Sequence, residues 1–219
     1  MNARATRIGI LSIAIPLLGL GCRMRTATND ESQEPPLEFV VHVDDTSVTL
    51  IEGESGQVNG TFTNPKVSVT PQPYRTFPYQ GITFQYPRAF NFEADLSDPD
   101  SKNWTLSGND LKIMYFVLNS QLTTRDFAKD MIDRFGRENC KLLNANAKIT
   151  LGKETLSGTT IQMTVASSRM VMDIYHVPSS NKSVTKILVF QDNLDDNGHR
   201  SAEAKQALKE IESSFTLEH

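Results

Sequence analysis

The chain has 219 residues, with 22 Lys and Arg against 26 Asp and Glu for a formal net charge of −4, a length that suits one domain with a small extension. Apolar residues at 38% and charged residues at 22% exclude wholesale disorder, and the mildly acidic balance gives no basic footprint for nucleic acid. Two cysteines exclude a disulfide scaffold and any cysteine-rich zinc or iron–sulfur site. Residues 1–21 open with Arg4 and Arg7, followed by an apolar run from Ile8 to Leu20. The run is shorter than the about 20 residues that span a bilayer and has the outline of a secretory signal peptide.

The end of that run, Leu18-Gly19-Leu20-Gly21-Cys22, resembles a bacterial lipobox. The resemblance implies that Cys22 becomes the first mature residue and carries a diacylglycerol, so that the membrane is a partner through a lipid anchor. Gly19 stands where such signals usually have Leu, and the other reading is an ordinary signal peptide. Residues 22–36 are polar and end in two prolines, as expected of a flexible tether. Lipidation implies a place in the cell envelope, facing the periplasm or the exterior. Arg23 follows Cys22 in place of the Asp that holds many lipoproteins at the inner membrane, which favours the outer membrane.

Residues 37–71 alternate in the manner of strands. Phe39, Val41 and Val43, then Val48 and Leu50, then Thr61-Phe62-Thr63 and Val67-Ser68-Val69 predict four short strands, a small β extension that is marginal alone. The Pro71-Gln72-Pro73 segment is a plausible boundary, because proline blocks strand pairing. Within residues 72–219, Ile82, Phe84 and Tyr86 predict a strand stopped by Pro87. A polar loop is expected from Glu93 to Asn103, then a central strand over Leu111 to Leu118. Thr123 or Thr124 can cap a helix carrying Phe127, Met131 and Phe135, ended by Gly136. Strands are expected near 147–151, 154–166, 169–177 and 184–190, and Ser201 can cap a last helix carrying Ala204, Leu208 and Ile211. Hairpin-length connections then predict an α+β domain, an antiparallel sheet of about six strands with two packed helices.

The strand Gly81-Ile82-Thr83-Phe84-Gln85-Tyr86-Pro87, the mid-chain helix, the four-strand meander and the closing Ile211-Glu212-Ser213-Ser214-Phe215 resemble the PsbP/Mog1-like fold over roughly residues 77–217. Members of that family are mostly non-catalytic binding or assembly factors. The resemblance therefore implies no enzyme and supplies no catalytic residues.

His42, His176, His199 and His219 share no ligand spacing, so no metal site is expected. Asn193, Asp195 and Asn197 before Gly198 imitate a calcium loop, but Ala204 falls where a bidentate Glu is needed, and a solvated turn is expected instead. Cys140 follows a helix rather than opening one and lacks the push that makes a thiolate. A dyad with His176 is therefore not expected, and Met131, Met163, Met170 and Met172 are expected in the core rather than on copper. No cofactor is implied. The aromatic residues Tyr74, Phe77 and Tyr79, with Trp104 in a polar setting, are the candidate binding patch, against the alternative that they pack at the edge of the core. The function expected is that of a membrane-tethered envelope lipoprotein, a non-catalytic binding or assembly module with an unidentified envelope protein as partner. The alternative is a hydrolase-like envelope enzyme with a site between the β extension and the main sheet.

Overall fold

The computed structural model describes residues 30–218. The β extension is a three-stranded antiparallel sheet of β1 (Glu38–Val43), β2 (Thr46–Ile51) and β3 (Val67–Pro71), in the order β2-β1-β3. Its register sets Phe39 against Leu50 and Pro71, and Val41 against Val48 and Val69, so alternation collects the apolar side chains on one face. The expected fourth strand at Thr61–Thr63 does not form; those residues lie in the connection between β2 and β3.

Two further strands, β4 (Tyr74–Phe77) and β5 (Ile82–Pro87), form a hairpin. Gln80 and Gly81 both have positive φ, 53° and 80°, and the Ile82 amide donates to the Tyr79 carbonyl at 3.3 Å. Two successive left-handed residues make a turn whose twist matches the strands it joins, and glycine takes the second place without strain.

The main sheet has seven strands. They are β6 (Asn91–Asp98), β7 (Ser101–Ser107), β8 (Leu111–Leu118), β9 (Cys140–Leu151), β10 (Glu154–Val165), β11 (Ser168–Val177) and β12 (Thr185–Asn193). The order is β6-β7-β8-β12-β11-β10-β9 and every pairing is antiparallel. Two meanders are thus joined side by side through β8 and β12. Helix α1 (Thr124–Phe135) connects them, and α2 (Ala202–Ser214) follows β12 and leads into the short β13 (Thr216–Leu217), which pairs with β5.

This overturns the α+β expectation. The described residues are 51% strand and 13% helix, mostly β, and the main sheet has seven strands rather than six. Two segments account for the difference. The stretch expected as a polar loop from Glu93 to Asn103 is the β6–β7 hairpin, in which Phe92, Ala94 and Leu96 alternate inward against acidic residues facing water. The strand expected from 147 begins at Cys140, seven residues earlier. Its first half is an edge that carries Lys141, Asn144 and Asn146 beside the exposed Leu142 and Leu143, and its irregular register against β10 disfavours further pairing. Asp192 and Asn193, expected in a turn, end β12 instead, with Asp192 fully buried.

Each face of the sheet has its own core. On one face Phe77, Ile82, Phe84, Tyr86, Trp104, Leu106, Ile113, Tyr115, Leu188 and Phe190 pack with Ala204, Ala207 and Ile211 of α2. On the other, Ile161, Met163, Met172, Ile174, Ile187 and Val189 pack with Phe127 and Ala128 of α1.

Candidate functional site

The four residues of the aromatic patch have different fates. Phe77, Tyr79 and Trp104 are 1%, 4% and 0% exposed, and they stack together. Phe77 meets Tyr79 edge-on at 5.1 Å, while Tyr79 lies parallel to Trp104 at 6.0 Å. Tyr74, half-buried on β4, has no ring contact with them among the described residues. Phe77, Tyr79 and Trp104 thus pack in the core, the alternative to an open patch that the sequence also offered, and Tyr74 stands apart from them.

What covers them is the end of the expected tether. Residues 30–36 lie against the domain. The Asp30–Gln33 turn is closed by the Gln33 amide donating to the Asp30 carbonyl at 2.9 Å. The Trp104 indole Nε1–H donates to the Glu31 carbonyl at 2.7 Å, and the Tyr79 hydroxyl donates to the Gln33 carbonyl at 2.6 Å. The Arg75 guanidinium donates to the Pro35 carbonyl and pairs with Glu34 at 3.2 Å. Lys102 pairs with Glu31 at 3.1 Å, and the Gln80 amide donates to the same carboxylate. Burial raises the Tyr79 hydroxyl above the ordinary tyrosine value, and Asp30 and Glu31 add to the effect, which keeps it protonated as a donor. Because Trp104 and Tyr79 must bury their polar tips, each needs an acceptor, and the backbone of this strap supplies both. Nothing in the composition of residues 30–36 signals this, since the contacts run through carbonyl groups.

The turn under the strap is itself pinned. The Gln80 carbonyl accepts from Lys186 Nζ at 2.7 Å and from the Tyr115 hydroxyl at 3.2 Å.

On the opposite face of the sheet, beside α1, runs an open apolar groove of about 490 Å³. Met114, Phe116 and Leu118 of β8 form its floor, and Phe127, Met131 and Phe135 of α1 form one wall. Phe127 holds the wall against the floor by packing on Phe116 at 5.2 Å. Asp130, Arg134 and Gln191 supply the polar rim. Phe135, expected to face the core, is instead 43% exposed. Helix α1 lies over β9, β10 and β11 and reaches β12 and β8 through Phe127, which clusters with Ile187 and Val189 and packs on Phe116, so that Met114, Phe116 and Leu118 stay half-buried at its edge. Beyond β8 the same face of β7 carries Ser101, Asn103 and Thr105, so the open apolar stripe is that of β8, and among the described residues no second helix lies on this face.

The remaining candidates are occupied by their own neighbours. In the 193–198 turn, the Asp195 carboxylate accepts the His199 amide at 2.7 Å, and Arg169 donates to the carbonyls of Asp195 and Asp196 at 3.2 and 2.6 Å. The Asp195 carboxylate is thus engaged within the turn. Cys140 is partly buried, and its thiol is raised by burial and by Glu138. Met163 and Met172 are buried among aliphatic side chains on the α1 face. His42, His176 and His199 are exposed, in separate elements, and among the described residues no three His, Cys, Asp or Glu side chains converge as a metal site requires. Cys22, the expected lipidation site, and His219 lie outside the described residues.

No family model matches the chain, and no curated protein matches it. Among solved structures, it is similar to the Ran-binding protein Mog1p of Saccharomyces cerevisiae, with 12% identity and a TM-score of 0.43 over 66% of this chain and 95% of that one. It is also similar to a single-site mutant of protein Mog1, with 11% identity and a TM-score of 0.43 over 67% of this chain and 96% of that one. A protein from Bacteroides thetaiotaomicron gives 12% identity and a TM-score of 0.38, covering 63% of this chain and 45% of that one. These likenesses are slight, and the properties of the site rest on its own residues.

Proposed function

We propose that the chain is a non-catalytic binding protein of the cell envelope, tethered to a membrane by lipid on Cys22, which receives the apolar face of a partner's amphipathic helix in the groove between α1 and β8. The observation that carries this reading is the apolar stripe of Met114, Phe116 and Leu118, left half-buried beside α1. A sheet face with one apolar stripe uncovered is half of a two-layer packing. The flexible thioethers of Met114, Met131 and Met172 along the groove allow it to mould to a helix, and helix-in-groove binding uses side chains at i, i+3, i+4 and i+7 as anchors.

The test compares Phe135→Asp and Met131→Asp with Val67→Asp, a control on the β extension where Val67 is 60% exposed. Each is expressed in the natural host and recovered from detergent-solubilised envelope. The groove variants are expected to keep the wild-type melting temperature within a few degrees and to lose, by tenfold or more, whatever protein copurifies with the wild type and with the control. Equal recovery by all four proteins contradicts the groove as the binding surface.

A further inference from the structure

We propose that Arg75, Tyr79, Gln80, Lys102 and Trp104 form a second recognition site, for an acidic proline-bearing peptide segment of a partner protein, and that the chain's own residues 31–35 fill it as a displaceable stand-in. The site lies on the α2 side of the sheet, away from the groove beside α1, so it stands or falls separately from that reading.

The domain side of the cleft is built from fixed elements. Arg75 sits on β4, and Lys102 and Trp104 sit two residues apart on β7, on one face. Tyr79 and Gln80 belong to the turn that Lys186 and Tyr115 pin from below. Every group used toward the strap is a donor: a guanidinium, an ammonium, an indole N–H, a phenol and a side-chain amide. A ligand must therefore bring only acceptors, and a peptide brings them as carbonyls and carboxylates. Two cations, Lys102 and Arg75, meet two carboxylates, Glu31 and Glu34, placed three residues apart, which sets both the charge and the spacing that the cleft reads.

The strap is held lightly by comparison. Ser32, Gln33 and Glu34 are exposed, and Pro35 is its one buried residue. Its hydrogen bonds and ion pairs are contacts at which another peptide's carbonyls and carboxylates, or water, can take the same place. A strap that served only as a structural clamp would bury apolar side chains, since that is where durable attachment comes from. An intramolecular segment on a short connection competes at an effective concentration on the order of millimolar, so the cleft of the free protein is kept closed to weak ligands.

Trp104 is the only tryptophan in the chain, and its indole N–H points at the strap, so its nuclear magnetic resonance cross-peak reports who occupies the cleft. The experiment titrates the peptide Asp-Glu-Ser-Gln-Glu-Pro-Pro, and the same peptide with Gln in place of both Glu, into the full chain and into its Glu31→Gln, Glu34→Gln double variant. The acidic peptide is expected to move the indole peak saturably in the wild type. The double variant is expected to need at least tenfold less of it, because its own strap competes poorly, and the Gln peptide is expected to bind at least tenfold more weakly. An unmoved indole peak, equal binding of both peptides, or equal affinity of wild type and variant overturns the proposal. A double variant that fails to fold also overturns it, since the strap would then be part of the fold rather than a stand-in.

Discussion

The Glu203 carboxylate accepts backbone N–H groups from Asn109, Asp110 and Leu111 at 3.1, 2.6 and 2.9 Å. It thereby fastens the first turn of α2 to the β7–β8 hairpin. Gly108 leaves the room: a Cβ there would lie 2.6 Å from the carboxylate. Partial burial pushes this carboxyl up, but the amides of Asp110, Leu111 and Asn109 outweigh it and hold the group below the ordinary glutamate value. A depressed folded value means stability that is present above the ordinary value of 4.5 and is lost as pH falls through the folded one. Glu203→Gln is therefore expected to cost about 1.5–3 kcal/mol at pH 7, the range for hydrogen bonds to a charged group. In chemical denaturation the difference from wild type should shrink below pH 4, and a constant difference across pH would show that the charge is irrelevant. Asp192 works in the opposite sense. It is fully buried, and Arg200, 3.9 Å away, also pairs with Asp173. Burial raises its carboxyl above the ordinary aspartate value, against the pull of Ser201 and Arg200. Stability linked to a raised value is present at low pH and lost as pH rises through it. Asp192→Asn, measured by the same denaturation, should gain on the wild type between pH 3 and pH 7. A variant that instead loses ground over that range contradicts the assignment.

At the level of elements, capping and alternation were legible and width was not. Thr123 caps α1 with the full reciprocal arrangement, its hydroxyl accepting from the Asp126 amide and the Asp126 carboxylate accepting from the Thr123 amide. Thr123→Ala is expected to cost about 1 kcal/mol, read as a fall of a few degrees in melting temperature. Ser201 caps α2 by accepting the Ala204 amide at 2.9 Å, and Ala204 and Ile211 face the core as their spacing predicted, with Leu208 half-buried beside them. Ile211→Ala is expected to cost about 2–5 kcal/mol; a loss under 1 kcal/mol would mean that α2 rests loosely on the sheet. Ile82, Phe84 and Tyr86 were readable because one face of β5 is wholly buried. The alternation of Phe92, Ala94 and Leu96 was there to be read too, but the acidic residues between them suggested a loop. The groove could not be seen from sequence. The apolar run of β8 announces burial on both faces, and only the structure shows that α1 covers the β8 stripe in part, through Phe127.

For the molecule as a whole, the strap changes how the domain would stand on a membrane. Residues 30–36 are seated on the domain, so seven residues of the expected tether are docked rather than flexible. Composition did not show this, because polar residues look alike whether they are solvated or docked through their backbones. The lipid anchor has its own check. Cys22→Ser in the native host is expected to release the protein from the membrane fraction, whereas a variant that fractionates and is processed like the wild type contradicts lipidation.

The central claim, that a partner's helix completes the layer beside α1, is tested most directly by placing a photo-crosslinking amino acid at Phe135 and mapping the products on the captured protein. The account predicts one product, with cross-linked residues at helical spacing of three and four along an amphipathic segment, lost when Met131→Asp is added. Cross-links at every second residue, scattered over unrelated proteins, or unchanged by Met131→Asp would contradict it.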